Sequence, residues 1–289
     1  MDLGAYGLSY SVYPYCPTVE DYLSKIPTPP GSDNSRVLGS IYHYDRPALR
    51  TGDQIVLRGW NRADGYAGLE PRQSLDYEML PALRVAGVGW VRQGPTTKNI
   101  GGLIAANETW SRAPNPLPRV RLVNRVVASN DPGADIAKID IDKEALGEVA
   151  LALAPTAPGN ASLVEDNPGR LRVQTESPTA QLLVVAESYH PGWKAAVDGA
   201  PAQVYRVNGD FMGCLVGPGM QLVDFQFRPA SLHVGRLVSY LGLGFLPFCL
   251  IGILRPAAGV ERRAIERARQ RGRPSPGSCD VFKPEEPCR

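Results

Sequence analysis

Residues 237–254, Leu-Val-Ser-Tyr-Leu-Gly-Leu-Gly-Phe-Leu-Pro-Phe-Cys-Leu-Ile-Gly-Ile-Leu, run eighteen positions without a charge. At ~1.5 Å per residue a helix of that length covers most of a ~30 Å hydrocarbon layer, so the run predicts a membrane-crossing helix over 234–254. Upstream the pattern is of another kind. Leu171-Arg172-Val173-Gln174-Thr175 and Val223-Asp224-Phe225-Gln226-Phe227-Arg228 alternate with period two, while Gln181-Leu182-Leu183-Val184-Val185-Ala186 is apolar on both sides. With Trp193–Val197, Val204–Val207 and Cys214–Val216 these runs predict about six short strands, an antiparallel β-sandwich over 148–229. Asp198-Gly199 is a strong hairpin dipeptide, because both residues tolerate the positive φ of a type I′ turn.

Residues 36–147 show a mixed pattern. Arg36–Ile41 and Gln54–Leu57 read as short strands. Leu75, Met79, Leu80 and Leu83 recur at helical spacing, with Gly87 as a stop and Val88–Val91 as the next strand. A strand–helix–strand unit predicts a small α/β layer, with Arg121–Val123 and Val126-Val127 as a further edge. Residues 1–35 carry five prolines and read as an irregular Pro/Tyr-rich lead-in. The fold class expected is therefore α+β: a small α/β segment, an antiparallel β-sandwich and one C-terminal transmembrane helix.

Charge sets the orientation. Residues 255–289 hold nine Lys/Arg and five Asp/Glu, while residues 1–254 hold 22 basic and 24 acidic side chains. By the positive-inside rule the basic tail is cytoplasmic and the body extracytoplasmic. A body at net −2 has no nucleic-acid stripe, which excludes nucleic acid as a partner and leaves the lipid bilayer as the expected one. The start, Met1-Asp2-Leu3-Gly4-Ala5-Tyr6, has neither a basic n-region nor an apolar h-region, so export is expected to rest on a multi-span region upstream. Five cysteines give no CxxC, and only Cys16 and Cys214 could meet in the body, as a bridge or as two free thiols.

The stretch Tyr189-His190-Pro191-Gly192-Trp193-Lys194-Ala195-Ala196-Val197-Asp198-Gly199, with Tyr205-Arg206-Val207-Asn208, Phe211, Gly213 and Gly217-Pro218-Gly219, resembles the C-terminal domain of YfhO-like bacterial membrane proteins. Phe225-Gln226-Phe227-Arg228-Pro229, Gly235 and the final apolar run fit the same pattern. Asp2-Leu3, Gly65–Leu69 and Asn115–Val120 fit it more loosely. The resemblance implies a polytopic membrane glycosyltransferase of the GT-C type, using an undecaprenyl-phosphate sugar and decorating cell-envelope polysaccharide outside the membrane. Its catalytic acid would lie on a multi-span N-terminal core absent from this sequence. No catalytic residue and no cofactor is carried over, and the implied role is that of a non-catalytic external domain with the last span.

Three sets of residues offer chemistry. Trp193, Tyr189 and Tyr205 could form an aromatic platform for a sugar ring, with Asp198, Arg206 and Asn208 bonding its hydroxyls. The plainer reading of Trp193, after Pro191-Gly192 at a strand start, is a core plug. Asp140-Ile141-Asp142 spells DxD, a pair that can share a hard cation with a diphosphate. Yet Ala137, Ile139 and Ile141 alternate with Lys138, Asp140 and Asp142, which suits a strand with one wet face. His43, His190 and His233 share no ligand spacing, so no metal site is expected. The alternatives to the YfhO-like reading are a membrane-anchored carbohydrate-binding β-sandwich and a metal-dependent DxD transferase.

Overall fold

A computed structural model describes residues 18–31, 33–39, 54–63, 73–94, 97 and 100–254. It divides into two units, Met1–Pro229 and Ala230–Arg289. Most of the lead-in, Cys16, Ser40-Ile41, Gly65–Leu69 and the basic tail lie outside the described residues.

The first unit contains strands β1 (Arg36–Leu38), β2 (Val88–Arg92), β3 (Ile104–Ala105), β4 (Trp110–Arg112), β5 (Val120–Val123), β6 (Arg125–Ala128), β7 (Glu144–Gly147) and β8 (Asn160–Asn167). It continues with β9 (Arg170–Ser177), β10 (Gln181–Ser188), β11 (Trp193–Val197), β12 (Ala200–Ala202), β13 (Val204–Val207), β14 (Phe211–Val216) and β15 (Gly219–Phe227). Short helices are α1 (Val19–Ser24), α2 (Gln54–Leu57), α3 (Leu80–Val85) and α4 (Pro132–Asp135). The strands form three sheets, ordered β1-β2-β4-β3, β5-β10-β14-β13-β7-β6 and β12-β11-β15-β9-β8.

The six-stranded sheet has a core on each face. One face, through Leu182, Val184, Ala186, Val207 and Phe211, packs on Leu38, Leu83, Val85, Val88 and Val91 of the small layer. The other face, through Leu183, Val185, Met212, Cys214 and Val216, packs on Leu171, Val173, Ala195, Val223 and Phe225 of the five-stranded sheet. This explains β10, whose first six residues are all buried: a strand covered on both sides has no wet face to alternate with. The outer sheet has one wet face, so β9 and β15 alternate. The architecture is α+β, with the two larger sheets packed as a sandwich.

The strand–helix–strand unit forms as expected. β1 and β2 run parallel, joined through α3. The helix is shorter than its spacing predicts, beginning at Leu80, because Pro81 sits at its first turn where a missing N–H costs nothing. Gly87 stops it at φ 72°. Two expectations are corrected. Gln54–Leu57 is a helical turn: Ile55 is buried while Val56 and Leu57 are exposed, with Arg58 and Gly59 N–H donating back to the Ile55 and Val56 carbonyls. Arg121–Val123 and Val126-Val127 belong to the six-stranded sheet, where β5 pairs antiparallel with β10. All four residues of β5 are buried, so a central partner on one side and cores on both faces suit it better than the edge of the small layer.

The second unit holds α5 (Ala230–Leu254), with Pro247 inside it. Side chains of Phe248–Leu254 lie outside the described residues. Among the described residues no helix is long and apolar enough to cross a membrane.

Candidate functional site

The turn between β13 and β14 brings together the one polar constellation built on the expected residues. Asn208 and Gly209 take φ 48° and 81°, reversing the chain so that Arg206 and Asp210 face each other at 3.7 Å. The Arg206 guanidinium carbon lies 4.7 Å from the centre of the Tyr189 ring, a cation–π stack worth about 0.5–1 kcal/mol where water is near. Glu148 stands 3.8 Å from the same guanidinium. The Tyr189 N–H donates to the Asp210 carbonyl at 2.7 Å, fixing the end of β10 against the turn. Burial pushes the Asp210 carboxyl above the usual carboxylate range, and Arg206 opposes the rise.

The other expected residues are not gathered here. Tyr205 packs toward the core shared with the small layer, whereas its neighbour Arg206 lies on the opposite face of β13. Asn208 is fully buried and structural. Its amide oxygen accepts from Leu146 N–H at 2.8 Å, and its own N–H donates to the Leu146 carbonyl at 2.8 Å, tying the β13–β14 turn to β7. Asp198 sits at the far end of β11 with Gly199, at φ 49° and 83° as a type I′ turn requires. Its carboxylate accepts from Leu222 N–H at 2.9 Å and Gln221 Nε2 at 3.0 Å. Trp193 is half-buried on the outer sheet with its ring 5.2 Å from Phe227. Arg206 thus stacks on the Tyr189 ring, and Phe227 packs on Trp193.

Sequence reasoning missed Asp210 and Glu148. Asp210 had a local signal, a carboxylate four residues after Arg206 across a turn. Glu148 meets Arg206 only through the pairing of β13 with β7.

The Asp140-Ile141-Asp142 stretch is a turn rather than a strand, following a 3₁₀ helix at Ile136–Lys138. Asp142 N–H donates to Asp140 Oδ1 at 3.2 Å, so the first carboxylate closes the turn that bends the chain into β7. Each carboxylate also has its own cation: Asp142 pairs with Arg84 at 3.0 Å and Asp140 with Lys143 at 3.3 Å. Asp140 lines an open depression of about 410 Å³ with Arg125, Glu144 and Leu151. Among the described residues, no group of three or more His, Cys, Asp or Glu is placed to hold a metal ion.

Two buried titratable groups complete the inventory. Cys214 is a free thiol, fully buried, and burial pushes it up to about 12, far from the thiolate range. Arg121 on β5 is buried with all three guanidinium nitrogens lacking a hydrogen-bond partner. Burial lowers its pKa to about 10 against the opposing attraction of Asp142, so it still carries its charge at neutral pH.

No curated protein and no solved structure matches this chain. Residues 153–239 do match the family model described as bacterial membrane protein YfhO, from just before β8 through β15 and into α5. That stretch is similar to part of the bacterial membrane protein YfhO family.

Proposed function

We propose that this chain supplies the extracytoplasmic sandwich and last membrane-crossing helix of a YfhO-like glycosyltransferase, and that it is not itself the catalytic part. The observation that carries this reading is the reach of the family match, which runs unbroken from the sandwich into α5 as far as Ser239. The surface of α5 supports it. Leu232, Val234, Leu237, Val238, Leu241, Leu243 and Phe245 are all exposed, at 46% or more. An exposed apolar surface of this extent suits an apolar surrounding, and the arginines from Arg255 to Arg273 favour a cytoplasmic far end by the positive-inside rule.

In this reading the body stands outside the membrane beside a multi-span region that handles an undecaprenyl-phosphate sugar, and it helps present the envelope polysaccharide acceptor. Its own polar groups are engaged in holding the fold: Asn208 with Leu146, Asp198 with Leu222, Asp142 with Arg84. The carbohydrate-binding alternative has less support, since Tyr189 and Trp193 are each stacked within the protein. The DxD alternative is weakened by the separate cation on each carboxylate.

Alkaline carbonate extraction of membranes tests the reading. The full chain is expected to stay in the membrane pellet, and a chain ending at Pro229 to be released. Release of the full chain would remove the crossing helix from the account.

A further inference from the structure

The chain leaves the sandwich beside an aromatic cluster. The His190 ring meets the edge of Phe227 at 5.2 Å, and Trp193 lies 5.2 Å from Phe227 on its other contact. Trp193 and Phe227 are register partners, the first residue of β11 against the last of β15. The exit is pinned there: Arg228 N–H donates to the Gly192 carbonyl at 2.7 Å, and Phe227 N–H to the Gly169 carbonyl at 2.8 Å. A Cβ on Gly192 would come within 2.9 Å of the Pro229 Cα, so only glycine admits that approach.

Phe227 is nevertheless 38% exposed, and His190, Lys194 and Arg228 around it are exposed too. An open phenylalanine and a half-buried tryptophan, each followed in the chain by an exposed cation, Arg228 and Lys194, is the side-chain chemistry suited to a phospholipid headgroup layer. The rings enter the acyl boundary while the cations reach phosphate. Carboxylates at the same end are already neutralised, Asp166 and Glu187 by Arg119 and Asp224 by Arg170. From Phe227 to the first residue of α5 is three residues, at most ~11 Å of extended chain. The apolar run expected to cross the membrane, 234–254, begins seven residues after Phe227 in the chain.

We propose that the His190–Trp193–Phe227 end of the sandwich rests in the phospholipid headgroup layer, as a second contact with the bilayer beside the helix. The proposal rests on the reading of α5 as membrane-crossing. The opposite end, with Asp198 and Met220, then stands clear of the lipid. Met220 is seven residues from Phe227 along β15, about 23 Å at strand rise.

The test uses the full chain in vesicles of phosphatidylethanolamine and phosphatidylglycerol, with the photoreactive p-benzoylphenylalanine placed singly at His190, Phe227, Met220 or Leu241. His190 lies on an exposed loop and Phe227 is already aromatic, so neither placement opens the core. Irradiation is expected to give phospholipid adducts by mass spectrometry at His190, Phe227 and Leu241, and none at Met220. Adducts at Leu241 without any at His190 and Phe227 would overturn the proposal and leave the membrane reading standing. Equal adducts at Met220 and Phe227 would also overturn it, since no defined end would face the lipid. No adduct at Leu241 would bring down both.

Discussion

The two sheets of the sandwich share one core but solve different problems. The outer sheet faces water on one side, and its strands record that: β9 and β15 bury Leu171, Val173, Val223 and Phe225 and turn Arg170, Arg172, Asp224 and Gln226 outward. Those outward groups pair among themselves, Arg170 with Asp224 at 2.8 Å and Arg172 with Glu165 at 3.5 Å. In the six-stranded sheet β5 and the first six residues of β10 are wholly buried and have no such outlet. A polar residue there must be satisfied inside the protein or remain unsatisfied, and both cases occur. Gln181, fully buried, accepts from Gly159 N–H and donates to the Ala157 carbonyl, each at 2.9 Å. Arg121 has no hydrogen-bond acceptor among the described residues. The same substitution therefore has different consequences in the two sheets.

Five variants test that contrast, read by denaturant unfolding of the full chain. Phe225→Ala empties a fully buried site between the sheets and is expected to cost about 3–5 kcal/mol, against under ~0.5 kcal/mol for Met220→Ala on the rim of the same strand. Arg121→Met is expected to act in the opposite direction, raising stability by about 1–4 kcal/mol, because a flexible apolar side chain replaces a buried charge without a partner. A loss instead would mean that Arg121 has an acceptor in the working protein. Asn208→Ala is expected to cost about 1–3 kcal/mol, since the Leu146 N–H loses its acceptor in a buried place.

The smallest effect belongs to the wet face. The hydrogen bond from Arg170 holds the Asp224 carboxyl below its usual range, with Gln226 adding to it. A carboxyl lowered by folding stabilises above its unfolded pKa of ~3.9 and loses that contribution as pH falls through the folded value. Asp224→Asn should therefore flatten the acid limb of the stability curve by removing a small contribution at neutral pH, under ~0.5 kcal/mol for a solvent-screened pair, and leave stability below the folded value unchanged. A large change at neutral pH would show that the outer face is not simply solvated.

Much of the sandwich was legible because its physics is local. Alternation gave β9 and β15, Asp198-Gly199 gave a type I′ turn, and the continuous run Gln181–Ala186 gave a strand buried on both faces. What was not legible depends on partners distant in sequence. Val120–Val123 reads as a strand, but nothing in it says that it pairs with β10 rather than β2. Arg121 opens a short apolar run, and its burial follows only once β5 takes its place beside β10. Asn208 looked available to a ligand until Leu146, 62 positions away, took its amide oxygen. Asp140 and Asp142 looked like a strand edge, while their side-chain bonds make a turn instead. Of the aromatic residues expected to act together, Tyr189 and Trp193 pack on the core between the two larger sheets, whereas Tyr205 packs on the core shared with the small layer.

The central claim is an extracytoplasmic body carried by a crossing helix, and topology is its most direct measurement. A reporter active only outside the cytoplasm is inserted at Gly31 and, separately, after Arg273, with any in-frame upstream sequence retained. The account predicts activity at Gly31 and none after Arg273. Activity after Arg273 and none at Gly31 would invert the protein and contradict the account.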